Sequence, residues 1–138
     1  MRSASSMERR DADVLVDSLL WIEFLSGKEN EETAEVERLI RARSVVLAGP
    51  IVFEVLVGPR REAQRQYLQG RLRAFRMLAT EERVWLRAIE LGRLDGVAAR
   101  KVPFSDILIA AHADHHGCKL FTTNAHFDAF PDLRRHRI

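Results

Sequence analysis

Short unbroken apolar runs alternate along the chain with longer stretches in which apolar residues recur every three or four positions. VLV at 14–16, SVVLA at 44–48 and KLFTT at 119–123 are too short for helices and too apolar for a solvent-facing edge, which predicts buried strands. FRMLA at 75–79 reads as a short third strand or as the tail of the helix before it. A helix is expected from Asp17 through Phe24, closing near Ser26-Gly27, and another over 31–43 with Val36, Leu39 and Ile40 on one side. Pro50 suits the first turn of a helix that runs to Val57 and stops at Gly58-Pro59, before an arginine-rich helix from about residue 60 to 74. Thr80 is placed to cap a helix from Glu81 to about Gly96, with Val84, Ala88 and Leu91 facing inward. Pro103 and Ser105 introduce DILIAAHADHH, which Gly117 closes. Strands alternating with helices predict an α/β fold, a mostly parallel sheet of four or five strands with helices on both faces, whose ligands gather at the carboxyl ends of the strands.

Composition narrows the class. At 138 residues, 46% hydrophobic and 30% charged, the chain has the make-up of one globular domain, expected over 13–138 behind a polar leader at 1–12. MRSASSMERRDAD lacks the apolar centre of a secretory signal, and Met7 is a second candidate start. No apolar run approaches the ~20 residues of a membrane span. The single cysteine, Cys118, excludes an internal disulfide and a cysteine metal cluster, which suits the cytoplasm; it reads as a small residue at a helix-to-strand turn. Net charge is only +2, but arginine outnumbers lysine 19 to 3. Arg60, Arg61, Arg65, Arg71, Arg73 and Arg76 cluster in one segment, with Arg134, Arg135 and Arg137 at the C-terminus, and guanidinium forks match phosphate oxygens. Arg60, Arg61 and Arg65 are the first candidates to touch RNA; a solvated helix face is the plainer reading.

Three acids sit where helices begin. Asp17 ends the first strand, Glu54 lies within the apolar IVFEVLVG, and Asp106 opens another apolar helix in VPFSDILIAAHA. Each has an ordinary explanation alone: Asp17 and Asp106 as helix-start acids, Glu54 as an arginine partner. Gathered at one end of a sheet they would repel and raise each other's pKa unless a divalent cation neutralised them, and Mg2+ suits oxygen donors that leave room for water.

VDSLLWIEFLSG, then P-IVFEVLVG, then VPFSDILIAAHA, then LFTTNAHF, in that order and spacing over about 13–130, resemble the PIN-domain ribonucleases, in particular the VapC toxins of bacterial toxin-antitoxin pairs. The resemblance implies a PIN-like three-layer α/β/α fold and a Mg2+-dependent (or Mn2+-dependent) endoribonuclease in which Asp17, Glu54 and Asp106 bind metal. It also implies a small VapB-like antitoxin whose tail enters the acidic cleft, and a homodimer. Ser18 and Thr122 match polar positions beside the metal. The fourth site departs from the usual aspartate: Asn124 stands there, followed by His126. Asparagine offers a carbonyl oxygen but removes one charge, so a second metal is not expected, and Asn124 is assigned to fixing a water or phosphate. Asp128 could replace the missing acid only if its loop shifts; Asp114 lies two turns beyond Asp106, facing solvent or the site's outer shell.

Hydrolysis needs an activated water, neutralised phosphoryl oxygens and a stabilised leaving oxygen, all of which a bound divalent ion can serve. Asp17 and Asp106 are expected to ligate it, Glu54 to ligate through water or orient the nucleophile, and His126 to contact the phosphate or remain a loop residue. The rival from another class is an attenuated PIN domain that binds RNA or a protein with little turnover. A phosphatase reading of DAD at 11–13 fails because those acids precede their strand. A zinc reading of His112 and His116, with His115 nearby, lacks the glutamate of H-E-x-x-H, and these histidines also suit the negative end of a helix. Trp21, Phe24 and Leu25, or Leu56 and Val57, would serve a partner surface if uncovered; most read as core.

Overall fold

The computed structural model of the protein describes residues 13–138; the leader expected at 1–12, with its alternative start at Met7, lies outside the described residues. Strands β1 (Val14–Val16), β2 (Val45–Leu47), β3 (Arg76–Met77) and β4 (Lys119–Phe121) form one sheet in the order β3-β2-β1-β4, with every neighbouring pair parallel. The expected four- to five-stranded, mostly parallel sheet is therefore four-stranded and wholly parallel among the described residues. Val14, Leu15 and Val16 are buried, as are Val45, Val46 and Leu47, because helices cover both faces of a parallel sheet and leave no solvated side.

Seven α-helices are present among the described residues: α1 (Ser18–Leu25), α2 (Glu31–Arg41), α3 (Gly49–Val57), α4 (Glu62–Leu72), α5 (Glu82–Gly92), α6 (Asp95–Ala99) and α7 (Phe104–His116). Helix α3 has proline in its first turn, where the missing N–H costs no hydrogen bond. Helix α7 ends at Gly117 with φ of 69°, a left-handed conformation that glycine adopts without strain. Val84, Ala88 and Leu91 face inward from α5, which packs along α7. Trp21 belongs to the core at 1% exposure, edge-on to Phe24 and Phe75, so it offers nothing to a partner; Val57 is exposed.

Two local expectations fail for physical reasons. Thr80 does not cap α5. Glu81 occupies that position without a side-chain bond, and the Thr80 hydroxyl instead meets Nε2 of the fully buried His112 at 2.8 Å. The helix also stops at Gly92 rather than near Gly96, where Leu94 turns the chain into the separate α6. Cys118 is buried beside the α7–β4 turn, and burial pushes its thiol up to about 11, which leaves it unreactive.

After β4 the chain makes a 3-10 helix at Ala125–Ala129 and then returns along the sheet edge: the Leu120 amide donates to Arg134, and the His136 amide donates to Leu120. His136 then places Nε2 2.5 Å from Oε2 of buried Glu35 on α2, whose two oxygens also accept from Arg38 at 2.7 Å each. The Arg38 hydrogen bonds, opposed by burial and aided by His136, hold the Glu35 carboxyl at about 2, against an ordinary 4.5. A depressed carboxyl stabilises the fold above its unfolded pKa and ceases to as pH falls through its folded value. Glu35→Gln should therefore cost about 1–2 kcal/mol near neutral pH, with allowance for the solvent-exposed Arg38. Denaturant unfolding should show that gap closing as pH drops from 4.5 toward about 2.

Candidate active site

The carboxyl ends of β1 and β4 and the N-terminal ends of α1 and α7 meet at one rim, and the three acids converge there. Asp17 ends β1 and caps α1. Its Oδ1 accepts from the Ser18 amide at 2.8 Å and its Oδ2 from the Thr122 hydroxyl at 2.7 Å, which joins β1 to the chain leaving β4. Glu54, on the second turn of α3, accepts from the Ser18 hydroxyl at 3.1 Å through Oε1 and from the Ser105 hydroxyl at 3.4 Å through Oε2. Asp106 sits in the first turn of α7, where free N–H groups favour negative charge, and its Oδ2 lies 3.1 Å from His126 Nδ1.

Asp17 and Asp106 are buried and Glu54 is half-buried. Among the described residues, no lysine or arginine pairs with any of the three. Burial raises the Glu54 carboxyl, the Ser18 hydroxyl opposes the rise, and the charges of Asp17 and Asp106 add to it. Burial likewise raises Asp106, with His126 opposing and Asp17 reinforcing. Glu54 thus has no arginine partner, and the helix-start explanation of Asp17 holds without using up the group, since Asp17 caps α1 and faces the other two acids at once.

These donors fit a hard divalent cation: all are oxygens, two are sheltered from bulk water, and their mutual repulsion is relieved by positive charge.

The remaining candidates fall into place unequally. Thr122 also accepts from the Asn124 amide at 3.0 Å, while the Asn124 side-chain oxygen caps the 3-10 helix by accepting from the His126 amide at 2.9 Å. Asn124 is therefore beside the acids with its carbonyl oxygen engaged. Asp128 binds Arg135 at 3.2 Å and Asp114 binds Arg87 at 2.6 Å, so neither joins the acids. Arg65 is held by Glu62 and Gln69 within α4. Arg60 and Arg61 rim an apolar groove of about 470 Å³ with Ile22, Leu25, Val55 and Leu68. Sequence reasoning missed Ser105, although a serine beside Asp106 mirrors Ser18 beside Asp17. Arg135, one of the C-terminal arginines read from the sequence as possible phosphate contacts, instead donates to the Thr122 carbonyl at 3.4 Å.

Comparisons with known proteins agree with this architecture. The family model for the PIN domain matches residues 14–133. The VapC ribonuclease Mb1587 of Mycobacterium bovis and ribonuclease VapC11 of Mycobacterium tuberculosis are each 26% identical over 121 residues, spanning 83% of this chain and 89% of the relative. Among solved structures, VapBC2 from Rickettsia felis bound to a promoter DNA fragment superposes with a TM-score of 0.72 at 17% identity, covering 89% of this chain and 96% of the other. A toxin-antitoxin complex from Klebsiella pneumoniae gives 0.69 at 22% identity, covering 91% of this chain and 100% of the other. At these identities the structural likeness speaks for the fold.

The raised Glu54 carboxyl carries a stability consequence of opposite sign to that of Glu35. The folded state holds this proton to higher pH than the unfolded state, so repulsion appears as pH rises through the raised value and persists above it. In EDTA near neutral pH, Glu54→Gln should stabilise the protein by up to about 1 kcal/mol, discounted for solvent access. The gain should vanish on acidification below the ordinary carboxylate range, as read by urea unfolding at several pH values.

Proposed function

The chain belongs to the PIN domain family, and we propose that it is a divalent-cation-dependent endoribonuclease of the VapC kind, the toxin of a toxin-antitoxin pair. The observation that carries this reading is the convergence of Asp17, Glu54 and Asp106, none of them paired with a lysine or arginine among the described residues, at the end of a parallel sheet where ligands bind. Asp17 and Asp106 are the direct ligands in this reading, and Glu54 acts on the attacking water. A Mg2+ or Mn2+ ion held there supplies charge neutralisation for the phosphoryl oxygens and a more acidic water.

The chain's own residues prepare the rest. Ser18 and Ser105 each donate to one oxygen of Glu54 and fix the plane of its carboxylate. So held, Glu54 would ligate the ion through water or orient the attacking water. Thr122 keeps Asp17 turned toward the cleft. His126, half-exposed, donates from Nδ1 to Asp106, so its other ring nitrogen could donate to a phosphoryl oxygen only in the imidazolium form. No base-reading pattern is evident, so RNA would be selected through shape, single-stranded exposure and phosphate contacts from Arg60 and Arg61.

The structural neighbours support a protein partner as well. The R. felis and K. pneumoniae structures are toxin-antitoxin complexes, and the apolar groove bounded by α1, α3 and α4 offers a face for a small VapB-like antitoxin. The exposed stacked pair Trp85 and Phe104, with Leu86 and Ile89, supports a homodimer. Among the described residues no helix is long and apolar enough to cross a membrane, and the proposed place of action is the cytoplasm.

A second reading has its own observation. The Asn124 carbonyl oxygen is committed to capping the 3-10 helix, so the fourth acid is absent in charge and in direction, which favours an attenuated PIN domain that binds RNA or a protein with little turnover. The two readings separate on purified protein. The nuclease reading expects cleavage of single-stranded RNA in Mg2+ or Mn2+, arrest by EDTA, and loss of at least about 100-fold in rate for Asp17→Asn and Asp106→Asn. Asparagine retains the α1 cap and so tests charge rather than folding. If wild type only binds RNA while Asn124→Asp cleaves it, the attenuated reading stands; cleavage that survives both asparagine substitutions refutes the assigned roles.

A further inference from the structure

Away from the acid cleft, the C-terminal end of α7 meets the 79–81 connection that joins β3 to α5. One donor atom each from Glu81, His115 and His116 lies within 4.8 Å of the other two. The three residues are otherwise little used. Glu81 occupies the capping position of α5 yet makes no capping bond, and its Oε1 faces His115 Nε2 at 3.4 Å instead. His116 lies 2.8 Å through Nε2 from the Ala79 carbonyl; since a carbonyl only accepts, Nε2 carries the hydrogen and the free electron pair is on Nδ1. An imidazole whose second nitrogen donates to a backbone carbonyl is the usual support of a metal-bound histidine, because that bond fixes both tautomer and ring orientation.

The neighbouring groups that could compete are engaged elsewhere. His112 is sealed, with Nδ1 2.8 Å from the Leu108 carbonyl and Nε2 2.8 Å from the Thr80 hydroxyl. Asp114 is bound by Arg87. Both histidines fall in the last turn of α7, where unpaired carbonyls favour positive charge.

We propose that Glu81, His115 and His116 form a binding site for a borderline divalent transition ion, Zn2+ in the first instance, distinct from the acid cleft. Two imidazoles and one carboxylate suit Zn2+, whereas Mg2+ prefers an all-oxygen set. The exposure of Glu81 leaves coordination positions open to water. His116 stands ten residues beyond Asp106 on the same helix, so ~15 Å separates the two sites along its axis. An ion here would tie the 79–81 connection to α7 and clamp the α5–α7 packing, so binding should appear as stability.

The experiment uses tag-free full-length protein, stripped with chelator and exchanged into buffer with millimolar Mg2+. Zn2+ titration by calorimetry should show one equivalent bound and a rise of a few degrees, about 2–4 °C, in melting temperature. His115→Ala and Glu81→Ala should each weaken binding by about tenfold or more and abolish the thermal shift. Asp106→Asn should leave the Zn2+ isotherm unaltered, and RNA cleavage in Mg2+ should be the same in His115→Ala as in wild type. The proposal is overturned if wild type binds no Zn2+, if the two alanine variants bind it normally, or if Asp106→Asn removes the binding, which would put the ion in the acid cleft. Because Zn2+ binding is read without RNA, its failure and the failure of the nuclease reading are separate results.

Discussion

Unrelieved negative charge at one rim of the sheet is the constraint on which the rest of this molecule turns. Two of the three carboxylates are buried, and burial raises the carboxyls of Asp106 and Glu54. A fold selected only for stability would place arginines against them, and this chain has arginine in abundance, yet among the described residues the arginines that form ion pairs take Glu35, Glu37, Glu62, Glu90, Asp13, Asp114 and Asp128 instead. The acids at the rim receive hydroxyls and one histidine instead. Hydroxyls orient a carboxylate without cancelling its charge, which leaves the charge available to an external cation.

The scaffold limits how far those acids can separate. Asp17 is fixed from both sides, by the helix it caps and by Thr122 at the end of the neighbouring strand. Asp106 is carried by α7, whose residues 108 to 113 are all buried. Glu54 is held between Ser18, which follows one acid, and Ser105, which precedes another, so a single pair of hydroxyls triangulates the site. The returning C-terminal segment adds a further tie through Arg135 and the Thr122 carbonyl. Relaxing the repulsion by moving one acid outward would break one of these bonds and expose packed surface, so proton uptake or cation binding is the less costly relief.

What could be read from the sequence follows from how local each feature is. Asp17, Glu54 and Asp106 were legible because each is a charge inside an apolar run at a helix start or, for Glu54, one turn beyond it, and the alternation of strands and helices sends those starts to one end of a parallel sheet. Strand β3 was readable only as an alternative, since two exposed residues, Arg76 and Met77, carry no burial pattern. Thr80 misled because threonine before a helix has an ordinary local use. Its actual partner, His112, is 32 residues away and became visible only when α5 packed on α7. The link from Glu35 to His136 spans 101 residues and has no sequence signal at either end. Asn124 was recognised as a departure from pattern, but the direction of its carbonyl depends on the 3-10 helix, which no periodicity announced.

The histidines of α7 show how position on a helix decides what a side chain can do. His112 and His116 are one turn apart and nearly stacked, which by spacing alone suggests a shared ligand. Burial separates their roles: His112 spends both ring nitrogens on Leu108 and Thr80, and desolvation lowers its pKa, so it serves as an uncharged core group. His116 spends one nitrogen and keeps the other, and the acid beside it comes not from within the helix but from Glu81, in the connection that leads into the facing helix. A helix that begins with an all-oxygen acid and ends with nitrogen donors can therefore present two chemically different ends, and the buried turns between them, from Leu108 to Ala113, keep those ends at a fixed separation.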